Sequence, residues 1–166
     1  MPQQLTKHFT LLEFTRSQQA LRLGIANTPN ALQEANLYRV ALLLEQVRTA
    51  LDMPLHVDSG YRCPSLNAMV GGAPTSAHLE GRAADVIPVG LDLRVAFGDL
   101  QRAGLTLDQC ILECDAWLHI AVAPLHAVPR REYLLASGSP GRWVYTRAPP
   151  AGSMPRATTT SFNPRS

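Results

Sequence analysis

The sequence predicts an α+β domain. Three observations lead there. Cap signals and apolar spacing mark helices over 11–23, 32–51 and 91–103. Short alternating or apolar runs mark strands over 55–59, 83–87, 109–113 and 118–122. The last two strands flank Asp115-Ala116-Trp117, a connection short enough to make them an antiparallel hairpin. At 166 residues and 18.1 kDa the chain fits one domain. It buries a core without needing disulfides.

The elements follow in order. Thr10-Leu11-Leu12-Glu13 has the form of a capping box, a hydroxyl residue with Glu three positions on, and Gly24 stops the helix it opens. Asn30-Ala31-Leu32-Gln33 is a second cap. Behind it Leu32, Ala35, Val40, Leu43, Leu44, Val47 and Leu51 form the apolar stripe of the longest helix. Pro54 closes that region, and Leu55-His56-Val57-Asp58-Ser59 alternates as a strand does. Gly60 to Pro64 reads as a turn, 65–70 as a short helix, and 71–76 as a loop by composition. Ala83-Ala84-Asp85-Val86-Ile87 is an apolar run interrupted by one carboxylate. Gly104 ends the third helix.

Composition shifts near residue 137. Residues 1–136 carry 11 basic and 13 acidic side chains, a net −2; residues 137–166 carry Arg142, Arg147, Arg156 and Arg165 and no acid, a net +4. The body is therefore no nucleic-acid binder on charge grounds. The last 30 residues hold five Pro, five Ser and four Thr, so 1–136 is expected as the domain and 137–166 as an extended tail. No apolar run approaches the ~20 residues of a membrane span, and no membrane insertion is expected. The first residues lack the apolar stretch of a secretory signal, and the cysteines are three, Cys63, Cys110 and Cys114. Both features lead us to expect synthesis in a reducing cytosol. Cys110 and Cys114 read as strand residues rather than as a metal pair.

The chemistry is concentrated in Ser76-Ala77-His78-Leu79-Glu80-Gly81-Arg82-Ala83-Ala84-Asp85 and in Trp117-Leu118-His119. A carboxylate between Ala84 and Val86 needs a partner, because an unpaired buried charge is costly. Arg82 is one candidate partner and a metal ion another. His78, Asp85 and His119 together offer three ligands, the number a catalytic zinc takes while keeping a fourth position open.

Further residues carry a resemblance. Ser59-Gly60-Tyr61-Arg62, Leu66-Asn67, Val70-Gly71-Gly72, Ser76-x-His78-x-x-Gly81-x-Ala83-x-Asp85, Glu113 and Trp117-x-His119 occur in that order. With His8-Phe9-Thr10, Glu13-Phe14, Ser17, Ala20 and Asn27-x-Pro29 before them, they resemble the zinc D-alanyl-D-alanine carboxypeptidases and L-alanyl-D-glutamate endopeptidases, in particular the small phage and prophage branch. The likeness covers roughly residues 8–124. It implies Zn2+ on His78, Asp85 and His119, peptidoglycan stem peptides as substrate, and Arg62 facing a substrate carboxylate or a developing oxyanion. The fold it implies packs helices on one side of a small, mainly antiparallel sheet, as in zinc D,D-peptidases and hedgehog-like domains. Ser76 and Tyr61 either hold the substrate backbone or serve the loop and the core. His56, on a strand near the site, is a candidate for supporting a ligand, and Asn67 for pinning the loop around Arg62.

The base is the point of departure. Many members place an acid three positions before the last His, where this chain has Ala116. Glu113 is the favoured replacement and Asp115 the alternative. Residues opposite each other in an antiparallel pair share a face, so Glu113 stands opposite His119 if the loop is odd and centred on Ala116. A two-residue turn would turn Glu113 away. The expectation is an odd loop of three or five residues with Glu113 beside the metal.

The function expected is zinc-dependent hydrolysis of a peptidoglycan peptide bond by a phage lysis or virion-associated enzyme. Such an enzyme is made in the host cytoplasm and acts in the periplasm or cell wall, or travels in the particle. The tail is a candidate contact to tail or baseplate proteins. The competing expectation is a catalytically weak or inactive structural module of a phage tail.

Overall fold

The computed structural model describes residues 3–139 and 142–153. Six strands form one sheet in the order β1-β2-β4-β3-β5-β6. They are β1 (Leu55–Ser59), β2 (Ala83–Pro88), β3 (Gln109–Glu113), β4 (Trp117–Ala121), β5 (Glu132–Ser139) and β6 (Arg142–Arg147). Every neighbouring pair is antiparallel except β3 with β5, so the sheet is mixed but mainly antiparallel. Among the described residues five α-helices accompany it: α1 (Leu11–Thr15), α2 (Gln18–Arg22), α3 (Ala31–Leu51), α4 (Pro64–Met69) and α5 (Leu93–Ala103). The α+β class and the helices-on-sheet arrangement expected from the sequence are those observed. Among the described residues no helix is long and apolar enough to cross a membrane.

Alternation along the strands separates two faces. Ala84 and Val86 of β2, Cys110 and Leu112 of β3, and Leu118 and Ile120 of β4 join the core with Leu37, Val40 and Leu44 of α3 and Phe97 and Leu100 of α5. Tyr133 of β5 also lies on this side; its ring packs edge-on against Phe97 and its hydroxyl donates to Leu100 O at 2.9 Å. Asp85, His119 and Ile111 take the intervening positions and face the other way, free of the helical layer.

The helices begin where the caps place them. Asn30 accepts from Gln33 N–H and Gln33 returns the bond, opening α3 as a capping box. Asp92 accepts from Arg94 and Val95 N–H, so α5 starts at Leu93, two residues later than expected. The helix expected over 11–23 is two. Arg16 is extended at ψ 129°, and Ser17 then caps a new helix by accepting from Ala20 N–H. Ser17 is a second start signal inside the first helical pattern.

The hairpin loop is odd, three residues long, but centred on Asp115 rather than Ala116. Cys114 and Asp115 both take positive φ, and Ala116 N–H donates to Glu113 O at 2.8 Å. Two left-handed residues in succession make the tight reversal that strand twist favours. Trp117 therefore pairs with Glu113, and His119 pairs with Ile111.

Residues 137–139 and 142–147, set apart by composition, contribute to the sheet: β5 reaches Ser139 and β6 pairs with it throughout. Residues 154–166, with Arg156 and Arg165, lie outside the described residues.

Candidate metal centre

The centre is assembled by strand register and one short turn. Asp85 and His119 are direct partners across β2 and β4, which puts both side chains on the open face at the same height. His78 comes from a 3₁₀ turn, Ala77–Glu80, just before β2. Ser76 caps that turn, its Oγ accepting from His78 N–H at 3.4 Å. Gly81 ends it at φ 66°, and a Cβ there would lie 2.6 Å from Gln33 O. The long helix α3 holds the turn in place: Gln33 Nε2 donates to Leu79 O and Asn36 Nδ2 to Glu80 O, both at 2.9 Å.

The three side chains are all buried. Asp85 Oδ1 lies 3.1 Å from His78 Nε2 and 3.0 Å from His119 Nδ1, and those two nitrogens are 3.1 Å apart. His78 Nδ1 meets Gly60 O at 2.5 Å and donates to it, which leaves Nε2 as a lone pair. Burial lowers the His78 pKa, with Arg62 and His119 adding to the effect against the pull of Asp85. Burial alone would raise the Asp85 carboxyl; the His78 interaction and the hydrogen bonds from both imidazoles outweigh it and hold Asp85 well below the carboxylate range. With the Nδ1 proton given to Gly60 O, His78 Nε2 and Asp85 Oδ1 meet as two acceptors unless a proton or a cation lies between them. A cation resolves that conflict. Ligands bound tetrahedrally at about 2.0–2.1 Å stand about 3.3 Å apart, close to the separations here. The donor set fits one metal ion, and a carbonyl behind His78 fixes its tautomer as metal-ligating histidines require.

Gly60 is suited to that task. A Cβ on it would sit 2.5 Å from Phe14 O, so only glycine lets the strand end approach α1 this closely. The next residues are fixed by Asn27, whose Nδ2 donates to Thr15 O and Tyr61 O and whose Oδ1 accepts from Cys63 N–H. Arg62, between them, donates its N–H to His78 O and places Nη2 3.8 Å from Asp85 Oδ2. Its Nε is buried without a hydrogen-bond partner among the described residues. The residue pinning Arg62 is therefore Asn27. Asn67 pins the following loop instead, donating to Ala73 O at 3.0 Å.

Glu113 shares the face of His119, one diagonal step away rather than directly opposite. Trp117 Nε1–H donates to its Oε2 at 3.1 Å. Burial raises its pKa and the Asp85 charge adds to that, while His119, Trp117 and Arg62 oppose it. Asp115 lies on the turn, exposed and paired with Arg94 at 2.5 Å. Tyr61 is buried in the core, and burial raises its phenol. Ser76 is half-buried at the cap and lines the cleft, as does His56, exposed on β1. Cys110 faces the helical layer and Cys114 is exposed on the turn.

The centre opens into a cleft of about 1130 Å³ along the open face of the sheet. Its wall includes Trp143 and Tyr145 of β6, which the sequence reading missed. Their signal was an aromatic, apolar, aromatic run in an otherwise polar segment.

A family model described as Peptidase M15 matches residues 7–121. No curated protein matches the chain.

Proposed function

We infer from a single premise, that the chain belongs to the peptidase M15 family, that it hydrolyses a peptide bond in peptidoglycan stem peptides with the aid of Zn2+. The observation that carries this reading is the triangle of His78 Nε2, Asp85 Oδ1 and His119 Nδ1, 3.0–3.1 Å on each side, at the floor of an open cleft. His78, Asp85 and His119 would hold the ion. When bound, zinc supplies Lewis acidity toward a carbonyl and makes a water molecule acidic near neutral pH.

The other residues supply what remains. Glu113, partly buried and fixed by Trp117, accepts the proton of the attacking water and later returns one to the leaving amine. Its raised pKa suits a group that must both take and give a proton. Arg62 is permanently charged, and its buried Nε has a donor to spare for an oxyanion or substrate carboxylate. Ser76 borders the same space. We read the role as that of a phage lysis enzyme or a component carried in the virion, on the likeness of residues 8–124 to that branch.

The test is metal content by elemental analysis on the wild type and on His119→Ala, with peptide release from purified murein assayed in parallel. We expect about one zinc per wild-type chain, in line with a three-ligand site, lost in the variant, and release abolished by a chelator. Mass spectrometry of the fragments names the bond, D-Ala-D-Ala or L-Ala-D-Glu. Zinc without release would leave the structural-module reading; no zinc would sink the mechanism.

A further inference from the structure

The open face extends well past what the metal centre uses. Asp85 and His119 lie on the second and third strands of the sheet, and β3, β5 and β6 continue the same face to one side. With strands spaced by about 4.8 Å, β6 stands about 14 Å from β4, a span that an extended peptide covers in about four residues. Ile111 and Leu134 are neighbours across β3 and β5 and make an apolar floor beside His119. Glu113, Ala136 and Tyr145 form the next row across three strands. Ala136, the short middle residue of that row, is buried. Trp143, two residues before Tyr145, projects to the same face opposite Gly138. Val144 between them turns to the opposite side. Both aromatics line the cleft. Burial raises the Tyr145 phenol, and the charges of Glu113 and then Asp85 add to it, as expected for a ring directed at the centre. Neither aromatic falls within residues 7–121, and neither supports a ligand.

We propose that β6 completes the substrate cleft, Trp143 and Tyr145 binding the stem peptide up to about four residues from the scissile bond, so that this chain recognises an extended stem peptide in preference to a terminal dipeptide. The proposal rests on the peptidase reading above. A floor of Ile111 and Leu134 accepts methyl side chains and extended backbone, as an alanine-rich peptide presents. The Tyr145 hydroxyl offers a hydrogen bond to that backbone, and Trp143 a broad apolar face. A dipeptide held at His119 and Glu113 would leave both aromatics untouched.

The experiment compares a stem pentapeptide, with L-Ala-D-Glu at one end and D-Ala-D-Ala at the other, with the two corresponding dipeptides. Values of kcat and KM are measured on the zinc-loaded full chain. Equilibrium binding of the same peptides is measured calorimetrically on chelator-treated protein, where no turnover occurs. The wild type should favour the pentapeptide in both assays. Trp143→Ala and Tyr145→Ala should each weaken pentapeptide binding and raise its KM by about 5- to 30-fold. The length preference should shrink accordingly, with metal content retained. Tyr145→Phe keeps the ring and its packing, and should show a smaller loss from the hydroxyl alone. Equal losses on long and short peptides, or no loss in any variant, would overturn the subsite while leaving the peptidase intact. A wild type that neither binds nor cleaves any of the peptides would overturn the peptidase reading and the subsite with it.

Discussion

Glu113 is placed where its charge is unwelcome for folding and, on the proposed mechanism, useful for chemistry. Burial and the nearby Asp85 disfavour its carboxylate, and the Trp117 N–H compensates only in part. Glu113→Gln keeps the shape and an acceptor for Trp117 but removes the proton acceptor. We expect kcat to fall by about 10²–10⁴-fold with zinc retained, the range for losing a general base. Stability should move the other way. A carboxyl whose folded pKa is raised destabilises the fold above that pKa, and the effect disappears below the unfolded value of about 4.3. Stripped of metal by chelator, Glu113→Gln should therefore melt higher than the wild type at pH 7, with the gap closing as pH falls toward 4. A lower melting temperature for the variant at pH 7 would contradict this. At this scale much of the centre was legible in the sequence. His78, Asp85 and His119 stood out because polar side chains interrupt apolar strands or open a Gly-bounded turn. The Gly60 carbonyl behind His78 and the Asn27 amide behind Arg62 were not legible. Each acts across a long sequence separation, through a backbone group or through a residue whose own segment looks like ordinary loop.

At the scale of elements, register decides which residues meet. The β3–β4 hairpin reverses at Cys114-Asp115, and that choice moved Glu113 from directly opposite His119 to a diagonal position on the same face. Parity of the loop was predictable from the need to keep Glu113 on the metal side; the centre of the turn was not, because Asp tolerates a left-handed conformation as readily as the alternatives demand. The parallel pairing of β3 with β5 was hidden for a similar reason, since its registration comes from outside both strands. Asp108, almost fully buried just before β3, accepts from Arg130 N–H, Nε and Nη2, while its own carbonyl receives Glu132 N–H. It thereby fixes where β5 begins. Burial would raise the Asp108 carboxyl, but the Arg130 bonds outweigh it and hold it low. Asp108→Asn should cost about 1.5–3 kcal/mol at neutral pH, the range for hydrogen bonds to a charged group. A depressed folded pKa means that this contribution is present above the unfolded value of about 3.9 and lost as pH falls further. Urea melts of both proteins should accordingly diverge at pH 7 and converge below about pH 4.

On the scale of the whole molecule, the sheet has two ends with different duties. The β1–β2–β4 side carries the candidate metal ligands and the helical layer, and its residues fall within the family match. The β5–β6 side lies beyond that match and meets the helical layer through Tyr133 and Leu135, with Gln101 of α5 donating to Pro149 O just past β6. Composition placed a boundary at 136/137 because Pro, Ser, Thr and Arg dominate residues 137–166. A chain can be polar on average and still supply a strand when it docks on an existing edge, since the ladder hydrogen bonds come from the backbone and only Trp143, Val144 and Tyr145 need be large. A chain ended at Ala136 distinguishes the two views. It retains every proposed metal ligand, Arg62 and Glu113, but it removes β6 and the distal part of β5, leaving the remainder of β5 as an unpaired edge. If 137–153 were only a tail, the melting temperature would not change. Because 137–139 and 142–147 are part of the sheet, we expect a loss of about 2 kcal/mol or more, near 4–8 °C in Tm for a chain of this size. Zinc binding should survive, because the ligands depend on β2, β4 and the turn that α3 holds. Elemental analysis beside a thermal melt reads both quantities from one preparation, and an unchanged Tm would return 137–153 to the status of an appendage.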